Sequence, residues 1–184
     1  MKIFRPVLRL LIGGLFIGHG TQKLFGWFGG HGPEATGAFF EKLGLKPGKH
    51  NAILAGAAEA GGGALLARGR VLPLAGAALT GAMTTAIRHV HAPKGPWVTN
   101  GGWEYNAVLI GATLALVEDE CGPAWAVAAG AAGVAGSFAV SELARRGAEA
   151  EHEFESVPFQ AAEEQPETQV GQATGGQTPN TANT

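Results

Sequence analysis

His19 and Lys23 stand four residues apart at the end of an almost unbroken apolar run, Phe4 to Gly18, interrupted only by Arg5 and Arg9. On a helix that spacing puts both side chains on one face. Ionisable groups at membrane depth are costly and face a protein interior or a polar cavity. Glu59 lies about nine residues into a second apolar segment, roughly 13 Å along a helix. Its surroundings, AGAAEAGGGALLA, offer no local charge partner. Arg88 and His89 close a third segment and Glu104 opens a fourth. These six, His19, Lys23, Glu59, Arg88, His89 and Glu104, form the candidate polar site. The chemistry open to them is a quinone headgroup pocket, a proton relay or a small-anion site. An interhelical Glu–Lys or Glu–His bond that only fixes packing is the competing reading. Lys23 is the first candidate partner for Glu59, followed by His19 and Arg88. No residue is assigned a catalytic role.

The histidines do not make a metal centre. His89 and His91 are two residues apart, so one helix cannot aim both at one ion, and no HxxxH or HExxH pattern occurs. A haem would need paired axial ligands such as His19 and His89, which nothing forces. No metal is therefore expected. Cys121 is the single cysteine, which excludes an intramolecular disulfide and CxxC dithiol chemistry. The GGG run at 61–63 and the Gly130, Gly133, Gly136 series suit close helix packing, not phosphate binding. No basic block points to nucleic acid.

Helices must position these groups. Charged residues make up 15 % of the chain and 30 residues are glycine, a composition suited to packed membrane helices. Five apolar segments run from about Arg5 to Phe28, His50 to Ala67, Val71 to His89, Trp103 to Val117 and Ala124 to Leu143. A span needs about twenty apolar residues, so the second and fourth are short and the fifth is weakly hydrophobic. Because successive spans alternate in direction, every strong polar group of the first four falls in the same half of the bilayer. The loop at 29–49 contains ATGAFFEKLGL, whose Phe39, Phe40 and Leu43 share one face expected to lie on the membrane surface. The N-terminus is built like a signal peptide but lacks an A-x-A site, which predicts an uncleaved first span.

Charge divides the chain in two. Residues 1–147 hold all 13 Lys and Arg against 8 acidic residues, whereas residues 148–184 hold seven Glu and no Lys or Arg. The second part is rich in Gln, Thr, Gly and Pro and is expected to be a disordered acidic tail. Lys and Arg are distributed almost evenly between the two loop faces, with a slight lean to a cytoplasmic N-terminus.

The first span ending in GHGTQKLFGWFGGHG, the second reading NAILAGAAEAGGGALLA and the GGWEYN opening of the fourth together resemble the DoxX family of small bacterial membrane proteins, over about residues 1–123. The resemblance implies a four-helix membrane bundle with both ends cytoplasmic. It also implies membrane redox chemistry: thiosulfate oxidation feeding quinone, or complexes that handle oxidative stress. The expected architecture is an all-α integral membrane protein. It comprises an antiparallel four-helix transmembrane bundle (1–123), a fifth helix (124–147) and the tail (148–184), in the bacterial plasma membrane. The leading functional expectation is a subunit without catalytic activity of its own, with the lipid bilayer, soluble redox enzymes and quinone as partners, alone or in homo- or hetero-oligomers. The alternatives are a thiosulfate:quinone-type oxidoreductase subunit, in which Glu59 and Lys23 handle protons, and a small transporter or channel.

Overall fold

A computed structural model describes residues 3–156, with the side chains described to residue 150. All regular structure among the described residues is helical. Helix α1 is Phe4–Phe25, α2 Gly32–Lys42, α3 Gly48–Arg68, α4 Leu72–Ala86, α5 Glu104–Cys121 and α6 Pro123–Ser156. Local chemistry sets the boundaries. Gly26 and Gly69 take left-handed conformations (φ 71° and 64°) that end α1 and α3. Pro73 sits in the first turn of α4, where its missing N–H costs nothing. Gly122 and Pro123 separate α5 from α6.

Glycines hold the helices close. α1 runs antiparallel to α3, with Gly13 against Gly63 and Gly20 against Gly56. A Cβ on Gly13 would lie 2.5 Å from the Gly63 carbonyl oxygen, and one on Gly20 would lie 2.6 Å from that of Gly56. α3 meets α4 where Leu79 fills the space over Gly62, and α4 meets α5 where Val117 fills that over Gly76. α6 runs parallel to α4: Ala129 lies by Gly76, Gly133 by Gly81 and Ser137 by Thr85. The buried core joins Ile12 and Phe16 of α1, Leu66 of α3, Leu79 and Met83 of α4 and Leu109, Leu116 and Val117 of α5.

The outward surface is apolar. Phe4, Leu11, Leu15, Leu54, Leu74, Val108, Val127 and Phe138 are all exposed. Among the described residues, α6 alone is long and apolar enough to cross a membrane by length and composition, over Pro123–Ala150. The segment read as weakly hydrophobic is thus the one that qualifies. α4 has only 15 helical residues, and α1, α3 and α5 carry interior or terminal charges that lower their hydropathy.

Several expected boundaries shift. The first helix stops at Phe25, and Trp27–Gly29 forms a 3₁₀ turn. α5 continues through the EDEC acids and stops only at Gly122. α6 passes the expected boundary at 147 and runs to Ser156, so 148–156, read as the start of a disordered tail, is helical. Ala and Glu are strong helix formers, and Arg145 bridges Glu142 and Glu149 across successive turns. The remainder of the acidic tail, 157–184, lies outside the described residues.

α2 also differs from a helix lying only on a membrane surface. Lys49 pairs with Glu34 at 2.5 Å, and the Gly48 N–H donates to Glu41 Oε1 at 3.1 Å. These contacts clasp α2 to the start of α3. Leu45, just beyond α2, is buried, and Phe39, Phe40 and Leu43 line a cavity between the helices.

Candidate functional site

The close contact of α1 with α3 assembles the centre of the site. Gly20 and Gly56 remove the side chains that would hold the two backbones apart. Lys23, one turn beyond Gly20, then reaches Glu59, one turn beyond Gly56. Its Nζ lies 2.5 Å from Glu59 Oε2 and also donates to the His19 carbonyl oxygen at 3.4 Å. Glu59 is buried, its side chain only 5 % exposed, while that of Lys23 retains 24 %. A carboxylate at this depth needs a compensating charge, and Lys23 supplies it. Of the other two candidate partners, His19 is exposed on α1 and Arg88 is engaged elsewhere.

The pair opens into a cavity of about 630 Å³, within the range of small-molecule sites. Its polar lining includes Lys23, Glu59, His19, Tyr105 and Asn106, and α4 contributes a small-residue stripe of Ala77, Ala78, Gly81 and Ala82. Leu54 and Ala58 of α3 and Ala132 and Gly136 of α6 also line it. Lining residues on α4 run from Leu74 to Ala86, about 18 Å at 1.5 Å per residue. Phe39, Phe40 and Leu43 cover one end.

The end of α4 divides the remaining candidates. Ile87–His91 forms a π turn, a distortion common at functional sites. Arg88 leaves the cavity and binds α6: its Nη1 donates to the Ser137 carbonyl oxygen, Ser137 Oγ and Ser141 Oγ, each at 3.2 Å. The guanidinium also stacks 3.8 Å above the Phe138 ring. His89 stays on the cavity wall, with Nε2 2.9 Å from Ser141 Oγ. His91, not among the six candidates, lines the cavity too. Its Nδ1 lies 2.6 Å from the Gly101 carbonyl oxygen. A carbonyl only accepts, so Nδ1 carries the proton there. Glu104 lies outside the cavity lining: its Oε1 accepts from the Val98 N–H at 2.7 Å and closes the loop before α5.

The structure therefore brings Lys23, Glu59, His19 and His89 around one cavity and separates Arg88 and Glu104 from it. Alternation of spans fixes depth but not the direction in which a side chain points, and these two point away. The residues that sequence reasoning missed are Asn106, His91, Ser137 and Ser141. Asn106 closes the GGWEYN motif, and Ser137 and Ser141 are i,i+4 polar positions on an otherwise apolar helix, a face signal visible in the sequence. Among the described residues, no group of three or more His, Cys, Asp or Glu is placed to hold a metal ion.

Residues 5–92 match the model of the DoxX family. The match covers α1 to α4 and the π turn. The resemblance read over about residues 1–123 is thus supported over its first part, and α5 and α6 lie beyond it. No curated protein and no solved structure matches the chain.

Proposed function

We propose a function from the premise that this chain belongs to the DoxX family of membrane proteins: it is a multi-pass subunit of the bacterial plasma membrane that binds a quinone-type lipid between its helices and anchors soluble redox enzymes there. In this reading α1, α3, α4 and α5 are an antiparallel four-helix transmembrane bundle and α6 is a fifth span parallel to α4. The apolar exterior of these helices supports that arrangement. So do the ion pairs that join the start of α1 to the end of α5, Arg5 with Asp119 and Arg9 with Glu120. Oppositely directed spans place those charges at one membrane face.

The observation that carries the ligand reading is a buried ion pair, Lys23–Glu59, in the wall of a mostly apolar cavity. A quinone is a polar ring on a long hydrocarbon chain. The ring suits the Lys23, Glu59 and Asn106 region, and the chain suits the alanine and glycine stripe along α4. When bound, the quinone would supply two-electron redox chemistry. The chain's own residues would hold the ring and exclude water with α2. With one cysteine and no dithiol, electrons would come from a soluble partner, in oxidative-stress or thiosulfate–quinone chemistry. A second reading, an oxidoreductase subunit that moves protons itself, draws on the contact between Lys23 and Glu59, which are close enough to exchange a proton.

Binding of decylubiquinone to the full chain in lipid nanodiscs tests the proposal. Saturable binding in the micromolar range, weakened at least tenfold by Lys23→Met, is expected. Binding no greater than that of empty nanodiscs would overturn it.

A further inference from the structure

The open hydrogen-bonding groups of the cavity are unequal in kind, and they distinguish the two redox forms of such a ligand. Asn106 is 7 % exposed and lines the cavity. Its hydrogen bond runs from Nδ2 to the thioether sulfur of Met83 at 3.3 Å. Sulfur in methionine only accepts, so the amide nitrogen faces it and Oδ1 is turned away. Oδ1 of Asn106 is left without a donor among the described residues. Glu59 repeats the pattern: Oε2 takes the bond from Lys23 and Oε1 accepts no hydrogen bond. The site thus holds two acceptors, on α5 and α3, that lack donors. A ligand that covers an acceptor without donating to it loses more than an average hydrogen bond returns, so a ligand that brings donors gains here.

We infer that this cavity selects the reduced, dihydroxy form of a quinone-type lipid over the oxidised dione, with Asn106 as the residue that sets the preference. The inference rests on the quinone reading above. A quinol offers two O–H groups to the open acceptors, whereas a dione offers none. The donors that also line the cavity, the third proton of Lys23, the Tyr105 hydroxyl and the His19 ring among them, do not reverse the order, because a hydroxyl oxygen accepts as well as a carbonyl does. Two recovered hydrogen bonds at about 0.5–1.5 kcal/mol each correspond to a preference of roughly five- to 150-fold. Asn106 lies beyond the matched residues 5–92, so this selectivity belongs to a helix outside the matched region.

The test is anaerobic binding of decylubiquinol and decylubiquinone to the full chain in nanodiscs, compared with the dimethyl ether of the same quinol. The ether keeps the ring and the chain but has no O–H to donate. The quinol is expected to bind about tenfold more tightly than the quinone, and the ether no more tightly than the quinone. In Asn106→Leu, which keeps the branched outline of the side chain but removes both polar atoms, the ratio of quinol to quinone affinity should fall at least threefold. The ether arm decides the matter even if that variant does not fold. Equal binding of quinol and quinone, or an ether that binds as well as the quinol, overturns the inference and leaves the quinone reading intact. Failure of all three ligands to bind overturns both.

Discussion

Lys23 and Glu59 illustrate how a charge survives inside an apolar bundle. Neither would be stable alone at this depth, and the 2.5 Å contact joins them across two helices. Removing one partner leaves the other uncompensated. The loss falls at the lower end of the range for buried pairs, because the Lys23 side chain keeps 24 % exposure. Glu59→Gln or Lys23→Met should each cost about 3 kcal/mol, and the double substitution should cost clearly less than the sum. Unfolding in mixed detergent micelles measures all four corners of the cycle, and strictly additive losses would show that the two groups act independently. Arg88 takes the other route available to a cation in an apolar setting, with two serines and one carbonyl of α6 and the Phe138 ring around it. A lysine there could not reproduce the planar fork.

At the scale of elements, the α1–α3 contact is the joint on which the site depends. It brings backbones together at Gly13, Gly20, Gly56 and Gly63, and it alone places Lys23 within reach of Glu59. Gly20→Val should therefore separate the helices and lower stability by about 1–3 kcal/mol, with loss of the ion pair. Gly14 supplies the control, since a Cβ there would meet nothing within 4 Å. Gly14→Val should leave thermal stability in detergent nearly unchanged. Equal effects at the two positions would mean that helix propensity, not packing, governs both. The helix limits were legible at Gly69 and Pro73, because each has a strong local preference, whereas the reading to Phe28 ran past the left-handed stop at Gly26. The limits of α5 and α6 were not, because Glu-rich segments read as helix stops when they are in fact good helix formers.

For the whole molecule, direction is the decisive quantity. α4 begins at the same end as α1, and α6 follows α4 in parallel, as the successive pairings of Gly76, Gly81 and Thr85 with Ala129, Gly133 and Ser137 require. If α6 is a span, Arg70 and Arg146 lie on opposite sides of the membrane. Phosphatase and fluorescent-protein fusions after Arg70 and after Arg146 should report different compartments. The same compartment at both would mean that α6 does not cross and lies along the bundle without traversing it. The cavity is likewise a property of the whole. Family-matched helices provide Lys23, Glu59 and His89, and helices beyond the match provide Asn106, Ala132 and Gly136.

The sequence by itself determined the helical class, the resemblance to the DoxX family and the position of the polar groups along each helix. Each of these follows from local composition and from spacing along one helix. It also limited the partners of Glu59 to three, because few cations reach that depth. What it left open was orientation around each helix axis, which depends on which neighbours pack where. The tertiary structure turned Lys23 towards Glu59 and Arg88 towards α6. It gave Glu104 to a loop and folded α2 over the cavity. It also exposed Asn106 as a buried amide with an open acceptor. That role arises only because Met83 on a neighbouring helix takes the amide hydrogen, a pairing between residues 23 positions apart that no pattern along the chain encodes.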